Sequence, residues 1–228
     1  MVGVDTGKTT KGEQTRTLIL NTALELFRER GYEETTMRAI ADSAGVALGS
    51  AYYYFRSKEH LIQAFYGRTH QEHLAACVPI LERERNLKTR LLEVMRAKIA
   101  TIEPYHRFAG VLFKSAADPE SPLNPFSAES AAVRGESIAL FAQVIHGSST
   151  RIPPDLHDEL PNLLWLYHMG IILFWIHDRS GGRQRTNRLI EHSVELIVRL
   201  IKLGSLPLMR PLRKIVLHLL ADLRADVS

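Results

Sequence analysis

The sequence predicts an all-α protein: a small three-helix head, joined by a connector helix to a larger helical body. Three observations carry that prediction. Apolar residues recur at three- and four-residue spacing through most of the chain. Glycine and proline punctuate those stretches at Gly31, Pro104, residues 118–125, residues 147–154, Ser180-Gly181-Gly182 and Pro207 to Pro211. No stretch alternates apolar and polar residues as a half-buried strand does, and no internal repeat or low-complexity tract intervenes.

The elements follow in order. Residues 1–14 read as a flexible polar arm. Within it GVDTGKT, Gly3 to Thr9, approaches a phosphate-binding loop but is one residue short of GxxxxGK[ST] and follows no apolar strand. An arm is the better reading, and its Lys8 and Lys11, with Arg16 just beyond, suit contact with phosphates or a minor groove. Thr15 to Arg30 has helical spacing through Leu18, Ala23, Leu26 and Phe27, with Gly31 as the stop. Thr36 caps a second helix through Ala44, and Gly45 supplies the positive φ of a sharp turn. Ile40, Ala44 and Val46 fall where a helix-turn-helix needs apolar contacts, and Ala41 permits close approach. A short third helix covers about 48–55. Its neighbours differ by about 100° of rotation, so Tyr52, Tyr53 and Tyr54 cannot share a face. Phe55 is expected in the core, with Tyr52 and Tyr53 outward. Ser57 caps the connector, whose stripe of Leu61, Ile62, Phe65 and Leu74 carries it past Gly67 toward Leu81. Helices at about 87–102, 104–117, 127–146, 156–178, 184–203 and 212–225 make the body. The domains are thus an arm (1–14), a helix-turn-helix domain (15–57) and a helical effector-binding and dimerisation domain (58–228).

Composition narrows the class without deciding it. The chain has 228 residues, 45% hydrophobic and 24% charged, as in ordinary soluble globular proteins. One cysteine, Cys77, rules out an internal disulfide framework and suits a reducing compartment. The N-terminal stretch lacks the apolar segment of a signal peptide. The most hydrophobic run, Leu163 to Ile176, is interrupted by His168 and falls short of the roughly 20 residues of a membrane span. A soluble cytoplasmic protein is expected. The net charge of +4 permits a nucleic-acid partner, yet residues 1–68 hold nine Lys/Arg against eight Asp/Glu, and Arg179, Arg183, Arg185 and Arg188 cluster far from the head. Residue placement has to carry the claim, because bulk charge does not.

That placement is specific. The stretch TMRAIADSAGVALGSAYYYFRSKEHL resembles the DNA-binding head of the TetR/AcrR family of transcriptional regulators. Ala-Gly-Val, Gly-Ser, Tyr-Tyr-Tyr-Phe and Ser-Lys-Glu-His-Leu stand at that family's spacing, and RTLILNTALELFRERGYEETT resembles its first helix. The resemblance covers about residues 13–65. It implies that Thr36 contacts a phosphate, that Gly49 and Ser50 approach DNA closely, that Tyr52 and Tyr53 touch backbone or bases, and that Lys58 clamps a phosphate. The last role also follows from the positive end of the helix that Lys58 opens. Two residues depart from the family. Ala47 replaces a frequent capping serine, and Leu48, on the face expected to meet the groove, replaces a residue that is often polar or basic. Operator choice then leans on apolar contacts and DNA shape.

For the body, the resemblance implies a small-molecule pocket and a homodimer built from two C-terminal helices of each copy. The helix 184–203 carries two apolar stripes where a monomer needs one. The expected interface is Leu164, Ile171, Ile190, Val194, Ile197 and Ile201, unless the last helix, with Ile215, Leu219 and Leu220, covers the second stripe. Pocket candidates are Met95, Phe108, Phe113, Phe141, Trp165, His168 and Trp175. His106, His168 and His177 need polar partners in apolar helices. No HxxxH or HExxH spacing, cofactor motif or nucleophile–base pair occurs, so no metal, cofactor or catalysis is expected. The expected function is a dimeric DNA-binding regulator, a repressor released from its operator by a small apolar or aromatic effector. A regulator without effector control and a helical small-molecule enzyme are the alternatives.

Overall fold

The structure is a computed structural model that describes residues 10–225. The arm's GVDTGKT and Lys8 lie outside the described residues. Among those described, every regular element is helical. The chain forms two compact units. Unit 1 takes the chain up to Thr69 together with Tyr105–Ala131; unit 2 takes His70–Pro104 and the chain from Ala132 onward.

Unit 1 contains α1 (Lys11–Arg30), α2 (Met37–Ala44), α3 (Leu48–Tyr54) and the first part of α4 (Lys58–Arg83). Helix α1 starts four residues earlier than the apolar spacing predicts. The cause is a capping box: Thr10 Oγ1 accepts from Glu13 N at 3.3 Å, and the Glu13 carboxylate accepts from Thr10 N at 2.7 Å. The core gathers Ile19, Ala23, Leu26 and Phe27 from α1, Ile40 and Ala41 from α2, Ala51 from α3, then Phe55, Leu61, Ile62 and Phe65. α6 (His106–Ala117), read from sequence as a body helix, belongs to this core. Phe108 stacks on Phe27 at 5.6 Å and also meets Phe65, while Tyr105 sets its ring edge against Phe65 at 4.7 Å.

Unit 2 holds the rest of α4, α5 (Leu87–Ile102), α7 (Ala131–His146), α8 (Pro154–His157), α9 (Leu160–His177), α10 (Gln184–Gly204) and α11 (Arg210–Ala225). Helix α7 begins later than expected, because Ser121, Asn124 and Ser127 side chains accept nearby backbone N–H groups and hold the preceding segment in turns. The span read as one helix over 156–178 breaks into α8 and α9. α10 packs mainly on α5 and then on α9. Asp178 ends α9 and starts α10 together: its carboxylate accepts from Ser180 N and Oγ and from Thr186 N and Oγ1, at 2.7–2.9 Å. By length and composition α9 is apolar enough to cross a membrane, a test that buried core helices also pass. Seven of its residues are buried within the protein.

Candidate nucleic-acid interface

The turn between α2 and α3 is built from local chemistry. Thr36, extended at φ −108°, caps α2 by accepting from Ala39 N at 3.1 Å. Gly45 takes φ 66° and ψ 32°, a left-handed conformation that side-chain-bearing residues rarely adopt, and Val46 N donates back to Ala41 O at 3.0 Å. The chain then re-enters a helix at Ala47, which supplies no side-chain cap. Ala47→Ser is expected to stabilise the head by about 0.5–1 kcal/mol, because an exposed uncapped start gains a hydroxyl acceptor. A thermal melt of the variant measures it, and an unchanged melting temperature would contradict it.

Helix α3 divides cleanly. Ala51 is fully buried, and Phe55, just past the helix, is 2% exposed. On the other side stand Gly49, Tyr52 at 47% and Tyr53 at 81% exposure. Large aromatics are normally buried, and these two stand outside on one turn. Tyr54 is held half-buried with its ring edge against Tyr53 at 5.1 Å. A Cβ added to Gly49 would meet nothing of the protein within 4 Å, so that backbone can be approached closely from outside.

Two expected contacts stand differently from the sequence reading. Leu48 packs against the head's own core and is half-buried. Thr36 caps α2 as its spacing predicts, and its exposed hydroxyl keeps its own O–H to donate. Lys58 is engaged inside the head: Nζ donates to the carbonyls of Tyr32 at 2.7 Å and Glu33 at 3.4 Å, and lies 4.4 Å over the Tyr32 ring. Ser50 is half-buried, its N–H donating to Ala47 O. Two exposed guanidinium groups, Arg38 on α2 and Arg56 just after α3, were missed by the sequence reading. Their charge and position beside the turn are the signal that could have found them.

The pocket candidates divide between the two units. Phe108 and Phe113 lie on α6 in unit 1. Met95, Phe141, Trp165, His168 and Trp175 are buried in unit 2, where Trp175 Nε1 donates to Glu103 at 2.7 Å. His106 lies in unit 1, and exposed His177 bonds the Leu173 carbonyl at 2.9 Å. Of the expected interface, Leu164, Ile171, Ile190, Val194 and Ile201 are buried within the protomer and Ile197 is half-buried. The stripe of α10 left outside is Leu196, Leu200 and Leu203, accompanied by Leu166 and Leu173 of α9, all 40–57% exposed.

Comparison with known proteins matches both parts of the chain. The family described as "Bacterial regulatory proteins, tetR family" matches residues 19–65, and "Tetracyclin repressor-like, C-terminal domain" matches residues 90–217, more than half of the chain. The HTH-type transcriptional regulator UidR of Escherichia coli K12 is 47% identical over 55 residues, 24% of this chain and 28% of that protein. The HTH-type transcriptional repressor KstR2 of Mycobacterium tuberculosis H37Rv is 34% identical over 88 residues, 39% and 44% of the two chains. The chain thus spans less than half the length of these curated relatives. Among solved structures, the fatty acid degradation regulator FadR of Bacillus halodurans shares the fold at TM-score 0.63 and 14% identity, covering 88% of this chain and 99% of that one.

Proposed function

Because the chain belongs to the TetR family of bacterial regulatory proteins, we propose that it is a dimeric transcriptional repressor that leaves its operator when a small molecule occupies unit 2. The observation that carries the DNA-binding part is the outward face of α3, where Gly49, Tyr52 and Tyr53 stand opposite the buried Ala51. Helices so placed after a tight turn enter the major groove, where phenolic hydroxyls reach phosphates and rings pack on sugar or a thymine methyl. Arg38 and Arg56 add sequence-independent attraction to phosphate.

Dimerisation is assigned to the leucine row outside the protomer. Leu196, Leu200 and Leu203 recur at i, i+4 and i+7, and a contiguous exposed apolar row of this kind marks an interaction surface. A two-fold dimer presents two copies of α3 to two half-sites. Control follows from population shift: an effector that binds the DNA-incompatible arrangement more tightly weakens operator binding by the same coupling energy. Helix α4 is the lever, since it begins at Lys58 beside α3 and ends at Arg83 in unit 2. A cytoplasmic location belongs to the same proposal.

Selection of duplexes from a random library tests this reading. The expected product is an inverted repeat whose affinity falls steeply with salt and which a member of a metabolite panel releases. A library that yields no enriched sequence, or a complex with one copy per site, would overturn it.

A further inference from the structure

Unit 2 buries four basic side chains close to one another. His70, His73 and Cys77 occupy positions i, i+3 and i+7 of α4, one face of that helix, and are 2%, 2% and 0% exposed. The His73 ring stacks on His168 of α9 at 5.9 Å, and Phe141 of α7 tilts against the same His168 ring at 5.6 Å. Lys98 of α5 is 9% exposed, and its charge acts on all three imidazoles and on the Cys77 thiol.

Two members of the group are satisfied. His70 Nε2 donates to the Glu136 carboxylate at 3.0 Å, with Nδ1 toward the Ser137 hydroxyl at 3.4 Å. His73 Nε2 donates to the Val94 carbonyl at 3.0 Å. The other two are not. Neither ring nitrogen of His168 has a partner among the described residues, and the side chain is buried. None of the ion pairs or hydrogen bonds among the described residues involves the Lys98 ammonium. The groups that favour its charge are the Cys77 thiol and then Glu72, which is exposed on α4. A buried ammonium without a counterion is costly, as is an imidazole N–H without an acceptor.

We infer that this cluster receives the acidic group of the effector: a carboxylate that pairs with Lys98, accepts from the His168 N–H, and carries an apolar or aromatic portion packed by Phe141. The inference rests on unit 2 being the effector domain, and it refines the expected apolar effector to an apolar acid. One net charge is the right complement. Burial pulls Lys98 from its usual range down to about 8, so it remains mostly an ammonium at neutral pH. Burial also takes His73 down to about 3 and lowers His70 and His168, so the imidazoles are neutral. A monoanion balances that site, whereas a phosphate dianion would bring an unmatched charge into the interior. A metal does not suit it, because among the described residues no three His, Cys, Asp or Glu groups are placed to hold one. The site also bears on α4, whose His70, His73 and Cys77 face forms part of it, and so on the lever of the proposed control.

The test compares octanoate, decanoate and phenylacetate, each with its matching alcohol, binding to the full chain without DNA by calorimetry. At least one acid is expected to bind at least about tenfold more tightly than its alcohol, as a charge-assisted pair requires. Lys98→Met should abolish that preference and melt no lower than the natural protein, since it removes an uncompensated charge. His168→Phe, which keeps the ring, should weaken the acid several-fold and leave the alcohol unchanged. The preference should also fade between pH 7 and 9 as the ammonium loses its proton; Cys77, pushed up to about 12, stays a thiol there. Equal binding of acids and alcohols, or a Lys98→Met protein that still prefers the acid, would overturn the inference. A carboxylate bound through Lys98 that leaves operator affinity unchanged would sink the effector reading and keep the site. Operator release by alcohols alone would do the reverse.

Discussion

Arg90→Met is expected to lower the stability of unit 2 by about 3–5 kcal/mol, with a fall in melting temperature of roughly 10 °C for a protein of this size. The guanidinium is 2% exposed and donates to four backbone carbonyls. Nε reaches Val144 at 2.9 Å, Nη2 reaches Gln143 at 2.7 Å, and Nη1 reaches Leu81 at 2.8 Å and Glu84. These carbonyls stand at the C-terminal ends of α4 and α7, where intrahelical donors run out, although Gln143 O also accepts from Gly147 N at 3.0 Å. One cation therefore caps two helices at the negative ends of their dipoles. Methionine fills much of the volume and removes every donor, so four carbonyls lose this partner together, that of Val144 in a buried bond. Arg90→Lys keeps the charge but not the planar fork, and should recover less than half of the loss. Gly147→Ala approaches the same site from the other side: a Cβ there would strike the Arg90 guanidinium, so the fork must shift or the turn must open. Thermal and urea melts of the three variants give the ranking; an Arg90→Met protein as stable as the natural one would remove the dual-cap account.

How much of this was legible in the chain depended on whether the signal was local. The fold of the head is legible almost residue by residue because caps, a left-handed glycine and helical rotation are properties of short segments. Phe55 inward with Tyr52 and Tyr53 outward follows from geometry alone. The start of α1 was within reach too: Thr10 and Glu13 have capping-box spacing, but the first two turns carry no large apolar residue and so resembled an arm. What failed was assignment over distance. The stripe of α6 is evident, yet nothing in it says that Phe108 serves the head's core. Both stripes of α10 are apolar, and only the packing on α5 shows that the Ile190, Val194 and Ile201 row is inside and the leucine row outside.

The buried cations of α5 show the same limit and a missed clue. Leu87, Leu91, Val94, Met95, Ile99 and Ile102 form its buried stripe, and Arg90 and Lys98 sit in that stripe at positions where an apolar residue would be expected. Long charged side chains are by default solvent-facing, so the spacing alone does not place these two inside. Their fates differ by partner. Arg90 found four carbonyls and became structural, whereas Lys98 found none among the described residues and is left with a charge that a ligand can use. Sequence shows the intrusion of the cations; only three-dimensional placement shows which of them is satisfied.

Gly49→Glu is expected to move stability and DNA affinity in opposite directions, which makes it the sharpest probe of the head. The position is exposed, near the start of α3, and an added Cβ meets open space. Within the protein the change is favourable: a glycine leaves a helix for a residue with about 0.5–1 kcal/mol better helix propensity, and a carboxylate gains from the positive end of α3. At a DNA surface it is harmful twice over. The side chain occupies space that the backbone needs for close approach, and it sets a negative charge against phosphates. A loss of about 3 kcal/mol per complex, roughly a hundredfold in Kd, is expected, together with a melting temperature that rises or holds. Tyr53→Ala supplies the graded comparison: an 81% exposed ring contributes little to folding, so its removal should leave the melt unchanged and weaken operator binding about tenfold. A weakened complex alone could reflect an unfolded head, and a stable head alone could reflect an idle face. The two shifts together have one account, in which the side of α3 away from Ala51 is the side that meets DNA; if Gly49→Glu binds the selected operator as well as the natural chain does, that assignment is wrong.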